Sequence, residues 1–459
     1  MYIFYDFETS SKEFLGQIMS YAFIVTKKNF EIKRELTGKI KLNRTQLPEV
    51  DAILTNRINV VEHQKVAEAE SMAAQRIFDF LSQEIENQGA IYLVGFNSNS
   101  FDLAFLRNLL IRYGINPYFK GRLVNIDLLN YTKYLAFQNQ ETFKWTLFEN
   151  KDKIKYYSFK LEHTAKSYGV LTEDQTHDAR DDVIVTINLA KKLEHEFKAP
   201  LDKFKPVQIL SSTFSQDYFE IAKQKVIDFP ESCDQVSQKF KYKYWAKVIS
   251  SKKELIILDL EKYAAEKEIL GCLSYINPNK HFLILEPATV QEKDFFQPVL
   301  EKLSQDQFVK NLTSEKYFEL IKKDWDIEYQ IHELGFKRID RLKSAIDALS
   351  KNYDSYDKIL KELLKERKEQ KDNFLIQLFN RYYLNYHPKA KIEHLHKYLM
   401  PRYFTAELVR DKASFNNIFQ ALDKMDSLIN DPATSKSDKT LLESLKLYYF
   451  DFIKINQLT

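Results

Sequence analysis

The feature that most constrains this chain is a repeated switch between strand-like alternation and helical spacing across its first two hundred residues. Tyr2–Asp6 is a short β-prone run. Ile18–Thr26 is a second, rich in β-branched and aromatic residues, and Glu31–Leu42 alternates like a third. Glu68–Glu86 then carries Met72, Ala73, Ile77, Phe80, Leu81 and Ile85 at helical spacing. Ile91–Gly95 reads as a buried strand, followed by a polar turn and a helix over Phe101–Tyr113. Further helices are predicted over Asp127–Phe137, Lys160–Tyr168 and Ala179–Phe197. The pattern predicts an α/β layer with a mixed sheet in which antiparallel strands come first.

Lys198–Pro206, with Pro200 and Pro206, is the best linker. Beyond it, Tyr242–Ser250 and Glu254–Leu260 read as two strands around a Ser251-Lys252-Lys253 turn. From about Gln291 the pattern is almost wholly helical. At 459 residues the chain has room for two or three domains. With 68 Lys+Arg against 65 Asp+Glu, a nucleic-acid surface has to come from local clustering, because the net charge of +3 is too small to supply one. Lys337–Lys371 is such a cluster, with 11 basic against 7 acidic residues. Cys233 and Cys272 show neither metal-ligand spacing nor a disulfide framework. The opening Met1-Tyr2-Ile3-Phe4-Tyr5 reaches Asp6 without a signal-like segment, and no run is long enough to span a bilayer. The expectation is a soluble, cytoplasmic protein with no membrane contact.

The chemistry is carried by three clusters of acids. Asp6 and Glu8 stand two apart at the end of the first strand, so they share a face. Crowded carboxylates raise each other's pKa unless a cation lies between them, and an all-oxygen site favours a hard ion. Asp102 follows Asn97-Ser98-Asn99-Ser100-Phe101, in the first turn of a helix. His177-Asp178-Ala179-Arg180-Asp181-Asp182 opens the helix to Phe197. Acids at helix starts also serve capping and the dipole, so none of these clusters alone demands catalysis. A histidine there has the right unperturbed pKa for a general base at neutral pH.

Taken in order, Asp6/Glu8, Asp102 and His177/Asp182 are similar to the motifs of the DEDD 3′→5′ exonucleases, histidine-bearing subclass. Asn97-x₃-Phe101-Asp102 looks like the middle motif, and Ser158-Phe159-Lys160-Leu161-Glu162-His163 looks like the segment before the last one. The length, linker, β-containing middle and helical end resemble the bacterial exodeoxyribonuclease I family. So does Leu378-Phe379-Asn380-Arg381-Tyr382-Tyr383, within Asn373–Pro388. The resemblance implies an RNase H-like exonuclease domain over residues 1–200. A small SH3-like, β-containing domain over 201–345 and a mainly helical domain over 346–459 would follow. It implies two divalent cations, Mg²⁺ preferred and Mn²⁺ admissible. Asp6 would bridge them, Glu8 and Asp182 would hold the ion binding the attacking water, and Asp102 would position the second. His177 would take the water's proton. Asp181 is a rival for the last acid, and the His-x₄-Asp spacing selects Asp182.

The resemblance further implies a monomer that degrades single-stranded DNA in repair and recombination. Its implied partner is the acidic C-terminal tail of single-stranded DNA-binding protein. For the substrate, Thr9 would contact the terminal nucleotide. Lys160, Arg338, Arg341, Lys368 and Arg381 are the candidate phosphate-binding residues, with Tyr244 and Lys247 as weaker ones. Two other readings stay open on sequence alone: a proofreading or RNA-trimming exonuclease, and a single-strand-binding relative that has lost catalysis.

Overall fold

The computed structural model describes residues 1–149, 155–171, 178–205, 207–209, 220–227, 240–250, 255–266, 269–276, 283–321, 328, 331–387, 390–404 and 417–458. Two compact units emerge. One comprises Met1–Ile126, Gln175–Ile187 and Lys323–Thr459; the other comprises Asp127–Asp174 and Asn188–Lys322.

The first unit is built on a five-stranded mixed sheet in the order β3-β2-β1-β4-β5. Its strands are β1 (Tyr2–Thr9), β2 (Ile18–Thr26), β3 (Ile32–Lys39), β4 (Ile91–Gly95) and β5 (Leu123–Asp127). β1, β2 and β3 pair antiparallel in sequence, and β4 joins β1 in parallel. As the central strand, β1 is buried on both faces over Tyr2–Tyr5, which is why that run is apolar without alternation. The single connection from β3 to β4 carries three helices, α1 (Val50–Asn56), α2 (Val60–Val66) and α3 (Glu70–Gln88), with α4 (Asp102–Arg112) following β4. β1 runs past the expected end at Asp6 to Thr9, because its ladder with β2 continues to the Thr9–Ile18 pair.

The helices Phe336–Lys351, Tyr356–Lys365, Gln370–Tyr386, Ile392–Tyr403, Ile418–Asn430 and Lys436–Ile455 share one continuous apolar core with this sheet. Phe379, Leu395, Met425 and Leu442 belong to the same cluster as Ile3, Phe23 and Ile77. At its heart lies a buried charge network. Arg112 on α4 meets Glu70 Oε1 at 2.8 Å and Glu328 Oε1 at 2.9 Å. Arg381 pairs with the same Glu328, and the Tyr113 hydroxyl donates to Glu70 Oε2 at 2.6 Å. Both acids are almost wholly out of solvent, so they are tolerable only because each has a cation. The two anions in turn hold the Arg112 guanidinium charged despite its burial.

Gly114 ends this stretch at φ +68°, where an added Cβ would come 2.3 Å from the backbone nitrogen of Lys343. Only glycine permits the helix Phe336–Lys351 to approach so closely.

The second unit holds a six-stranded sheet in the order β12-β11-β10-β9-β13-β8 and a two-stranded β6–β7 ribbon. Here β6 is Leu147–Glu149, β7 Lys155–Tyr157, β8 Val207–Ile209 and β9 Ile221–Ile227. They are followed by β10 (Phe240–Ser250), β11 (Leu255–Asp259), β12 (Leu273–Ile276) and β13 (Leu283–Pro287). Alternation sorts the side chains of β10 and β11. Ala246, Val248, Ile256 and Leu258 enter one core, and Trp245, Leu255 and Ile257 enter another. The two runs expected as strands are β10 and β11, paired antiparallel. The turn expected at Ser251–Lys253 and Cys233 lie outside the described residues. Cys272 is buried. Among the described residues no helix is long and apolar enough to cross a membrane.

Candidate active site

β4 pairs with β1 only through Tyr2, Ile3 and Phe4. The chain leaves the sheet at Gly95, where a Cβ would crowd Ser98 Cβ at 2.6 Å and Tyr5 Cε1 at 2.9 Å. This tight exit lets α4 begin close to the end of β1. Beyond the last β4 pairing, the Phe7 backbone N–H donates to Asp102 Oδ1 at 3.2 Å. Asp102, the first residue of α4, is therefore fixed against the strand that carries Asp6 and Glu8.

The fourth acid comes from the helix Ala179–Phe197. Asp178 starts it, its Oδ1 accepting from the Arg180 N–H at 3.0 Å, while the Asp182 N–H donates to the Asp178 carbonyl at 3.0 Å. Arg180 also pairs with Glu35 on β3 at 3.0 Å, a surface tie for the first turn. Asp182 is 6% exposed, whereas its neighbour Asp181 is exposed. Asp6, Glu8 and Asp182 each offer a carboxylate oxygen, and these atoms lie within 4.8 Å of one another.

Such a cluster is electrostatically costly without a cation. Burial, then the charges of Asp102, Asp182, Glu8 and Asp178, push the Asp6 carboxyl well above its usual range. Burial, then Asp182, Asp102 and Asp178, push Glu8 up to about 8. An all-carboxylate donor set of this kind suits a divalent cation of hard character, so the residues fit the expected metals.

The other expected residues fare differently. His177 lies outside the described residues. Thr9 is buried, and its hydroxyl donates to the Ser11 carbonyl at 2.7 Å. Arg338 bonds Asp372 at 2.8 Å and also pairs with Glu369. Arg341 bonds Glu366 at 2.8 Å and reaches Asp372 at 3.3 Å. Both guanidiniums are thus engaged by nearby acids. Arg381 is a correction to the expectation of a phosphate contact. It is 6% exposed and engaged with Glu328 in the core, so its charge is turned inward. Lys368 and Lys160 are exposed. In the second unit, Lys247 is buried and the Tyr244 hydroxyl donates to Glu292 at 2.9 Å.

One participant escaped the sequence reading. Asp178 adds its charge to both Asp6 and Glu8, although its position looks like ordinary helix capping.

No family model and no curated protein matches this sequence. Solved structures do. Exonuclease I of E. coli with a dA16 oligonucleotide superposes with a TM-score of 0.68 at 18% identity, covering 98% of this chain and 99% of the other. The zinc-bound form of the E. coli enzyme with single-stranded DNA gives 0.66 at 18%, with the same coverage. The moderately thermophilic Exonuclease I from Methylocaldum szegediense gives 0.65 at 16%, again with 98% and 99% covered. The chain has the exonuclease I fold over nearly its whole length.

Proposed function

We propose that this chain is a divalent-metal-dependent 3′→5′ exodeoxyribonuclease that shortens single-stranded DNA to 5′-mononucleotides. The observation that carries the proposal is the convergence of Asp6, Glu8 and Asp182 within 4.8 Å, with Asp102 bonded to the same strand. The oligonucleotide complexes of E. coli exonuclease I support single-stranded DNA as the substrate class, and its zinc-bound form supports a divalent ion.

Asp6, Glu8 and Asp182 would hold the metal, Asp102 would complete the set, and Mg²⁺ is the proposed ion. Bound there, divalent cations neutralise charge building on a phosphate and ease ionisation of water. The chain's own residues supply the rest. Asp102 steadies the β1 backbone at Phe7, holding Asp6 and Glu8 in register. His177, one residue ahead of Asp178, serves as the general base for the attacking water. Docking to the acidic tail of single-stranded DNA-binding protein, and a role in DNA repair and recombination, belong to the same proposal.

The test is digestion of 3′-labelled and 5′-labelled single-stranded DNA, duplex DNA and RNA, with Mg²⁺ or with EDTA. The 3′ label should leave first, as a mononucleotide, from single-stranded DNA and only with metal. Full activity in excess EDTA, or release from the 5′ end, refutes the reading.

A further inference from the structure

A cavity of about 360 Å³ opens in the first unit between the segment after β3, the start of α3, the end of the helix Gln370–Tyr386 and the last helix, Lys436–Ile455. It falls in the range of roughly 300–1,000 Å³ in which small organic ligands bind. None of its lining residues belongs to the carboxylate cluster.

Two cations line it, Lys41 and Arg44. The Arg44 Nε–H donates to Asn456 Oδ1 at 3.0 Å, and the Asn456 side-chain amide donates back to the Arg44 carbonyl at 3.3 Å. The guanidinium is thereby oriented, yet neither Lys41 nor Arg44 forms an ion pair among the described residues. Arg44 is partly buried, and that burial alone lowers its pKa, with no acid acting to restore it. A desolvated guanidinium without an anion is unfavourable, and an incoming oxyanion relieves it through charge-assisted hydrogen bonds.

Three rings, Tyr386, Tyr448 and Phe452, stand among the remaining walls. Tyr386 has its hydroxyl engaged with Tyr113 at 2.9 Å and with the Ser71 N–H at 3.1 Å. The Tyr448 hydroxyl donates to the Gln46 carbonyl at 3.2 Å. Both therefore offer a guest mainly ring surface, beside buried Phe452. Exposed Asp451 is the one carboxylate among the described lining residues, available to a ligand's N–H or O–H donors.

We infer that this cavity binds a nucleoside 5′-monophosphate, its phosphate on Arg44 and Lys41 and its base among the rings of Tyr386, Tyr448 and Phe452. The choice of a nucleotide rests on the proposed function, whose product it is; the pairing of an anion with a flat body rests on the cavity alone.

Calorimetric titration of the full chain with dAMP, inorganic phosphate and deoxyadenosine, all in EDTA, tests this. One equivalent of dAMP should bind, more tightly than either fragment. Arg44→Gln should weaken dAMP by about ten- to a hundredfold, as loss of a charge-assisted contact predicts. Lys41→Gln should weaken it less, and Asp6→Asn should leave it unchanged. Equal affinity for phosphate and dAMP, an unaffected Arg44→Gln variant with a parental melting curve, or binding lost in Asp6→Asn would each overturn the inference. The titration reads binding without turnover, so a chain that cuts no DNA but binds dAMP through Arg44 would refute the proposed function and leave this site standing.

Discussion

Asp102 accepts a hydrogen bond from the Phe7 backbone N–H at 3.2 Å, joining the first turn of one helix to the strand segment between the two other acids. The carboxylate therefore has two separable roles, one through its charge and one through its oxygen as an acceptor. Asp102→Asn keeps an acceptor and removes the charge. It should abolish nuclease activity with little loss of stability. Asp102→Ala removes both and should cost roughly 1–3 kcal/mol, since the Phe7 donor loses its partner. Urea unfolding beside an activity assay separates the two; equal stability of both variants would show that the hydrogen bond is inconsequential.

The raised Glu8 carboxyl gives a pH dependence with a definite sign. Its pKa is about 8 folded against about 4.5 when solvated, so between those values the folded state binds more protons. Metal-free stability should therefore fall as pH rises from about 5 to 8, by a few kcal/mol at most, and Glu8→Gln should flatten the slope. Saturating Mg²⁺ should flatten it as well. Melting curves in EDTA across that range, parent against Glu8→Gln, measure it; parallel profiles would refute the assignment.

Asp182 and Asp181 are adjacent but differently placed, one buried within the carboxylate cluster and the other exposed. Asp182→Asn should eliminate activity while raising the melting temperature in EDTA, because it removes like-charge repulsion from Asp6 and Glu8. Asp181→Asn should leave the rate essentially unchanged. A stabilised but fully active Asp182→Asn would contradict its role as a metal ligand.

Removing Arg112 takes the cation partner from Glu70 and one cation from Glu328, which keeps Arg381. Arg112→Leu should destabilise by about 3–5 kcal/mol. Adding Glu70→Gln should recover part of that, because the stranded charge is then gone. A double-mutant cycle in urea reports the coupling, and strict additivity would argue against a shared network.

Gly114 and Gly89 both have positive φ, at +68° and +79°, yet only Gly114 has a neighbour within reach of a Cβ. Gly114→Ala should cost more than Gly89→Ala, which carries only backbone strain of about 1 kcal/mol. Equal losses would mean the helix Phe336–Lys351 gives way freely.

Where local pattern decides structure, the sequence was legible. β2, β4 and the helix Ala179–Phe197 have the expected bounds, each being an apolar run or stripe with polar residues outside it. α1 and α2 were not anticipated. Each is seven residues long and leans on the last helix: the Ser444 hydroxyl meets Asn59 at 2.7 Å, and Arg57 pairs with Asp438. Partners nearly four hundred positions away leave no local periodicity to read. β5 was likewise missed, since Leu123–Asp127 is a strand by virtue of its place at the sheet edge. At the site, the identities of the acids could be read from their spacing. The bond from Phe7 to Asp102 and the charge of Asp178 could not, because both depend on how the chain is brought back on itself.

The continuous core of the first unit also bears on how the protein is made. Strands that leave the ribosome first find part of their apolar cover only when the final helices emerge. A nascent chain halted before Lys323 would present Tyr113 and Arg112 to water, bereft of Tyr386 and Glu328. Competence should therefore arrive late in synthesis, and early-terminated products should be ready clients for chaperones and proteases.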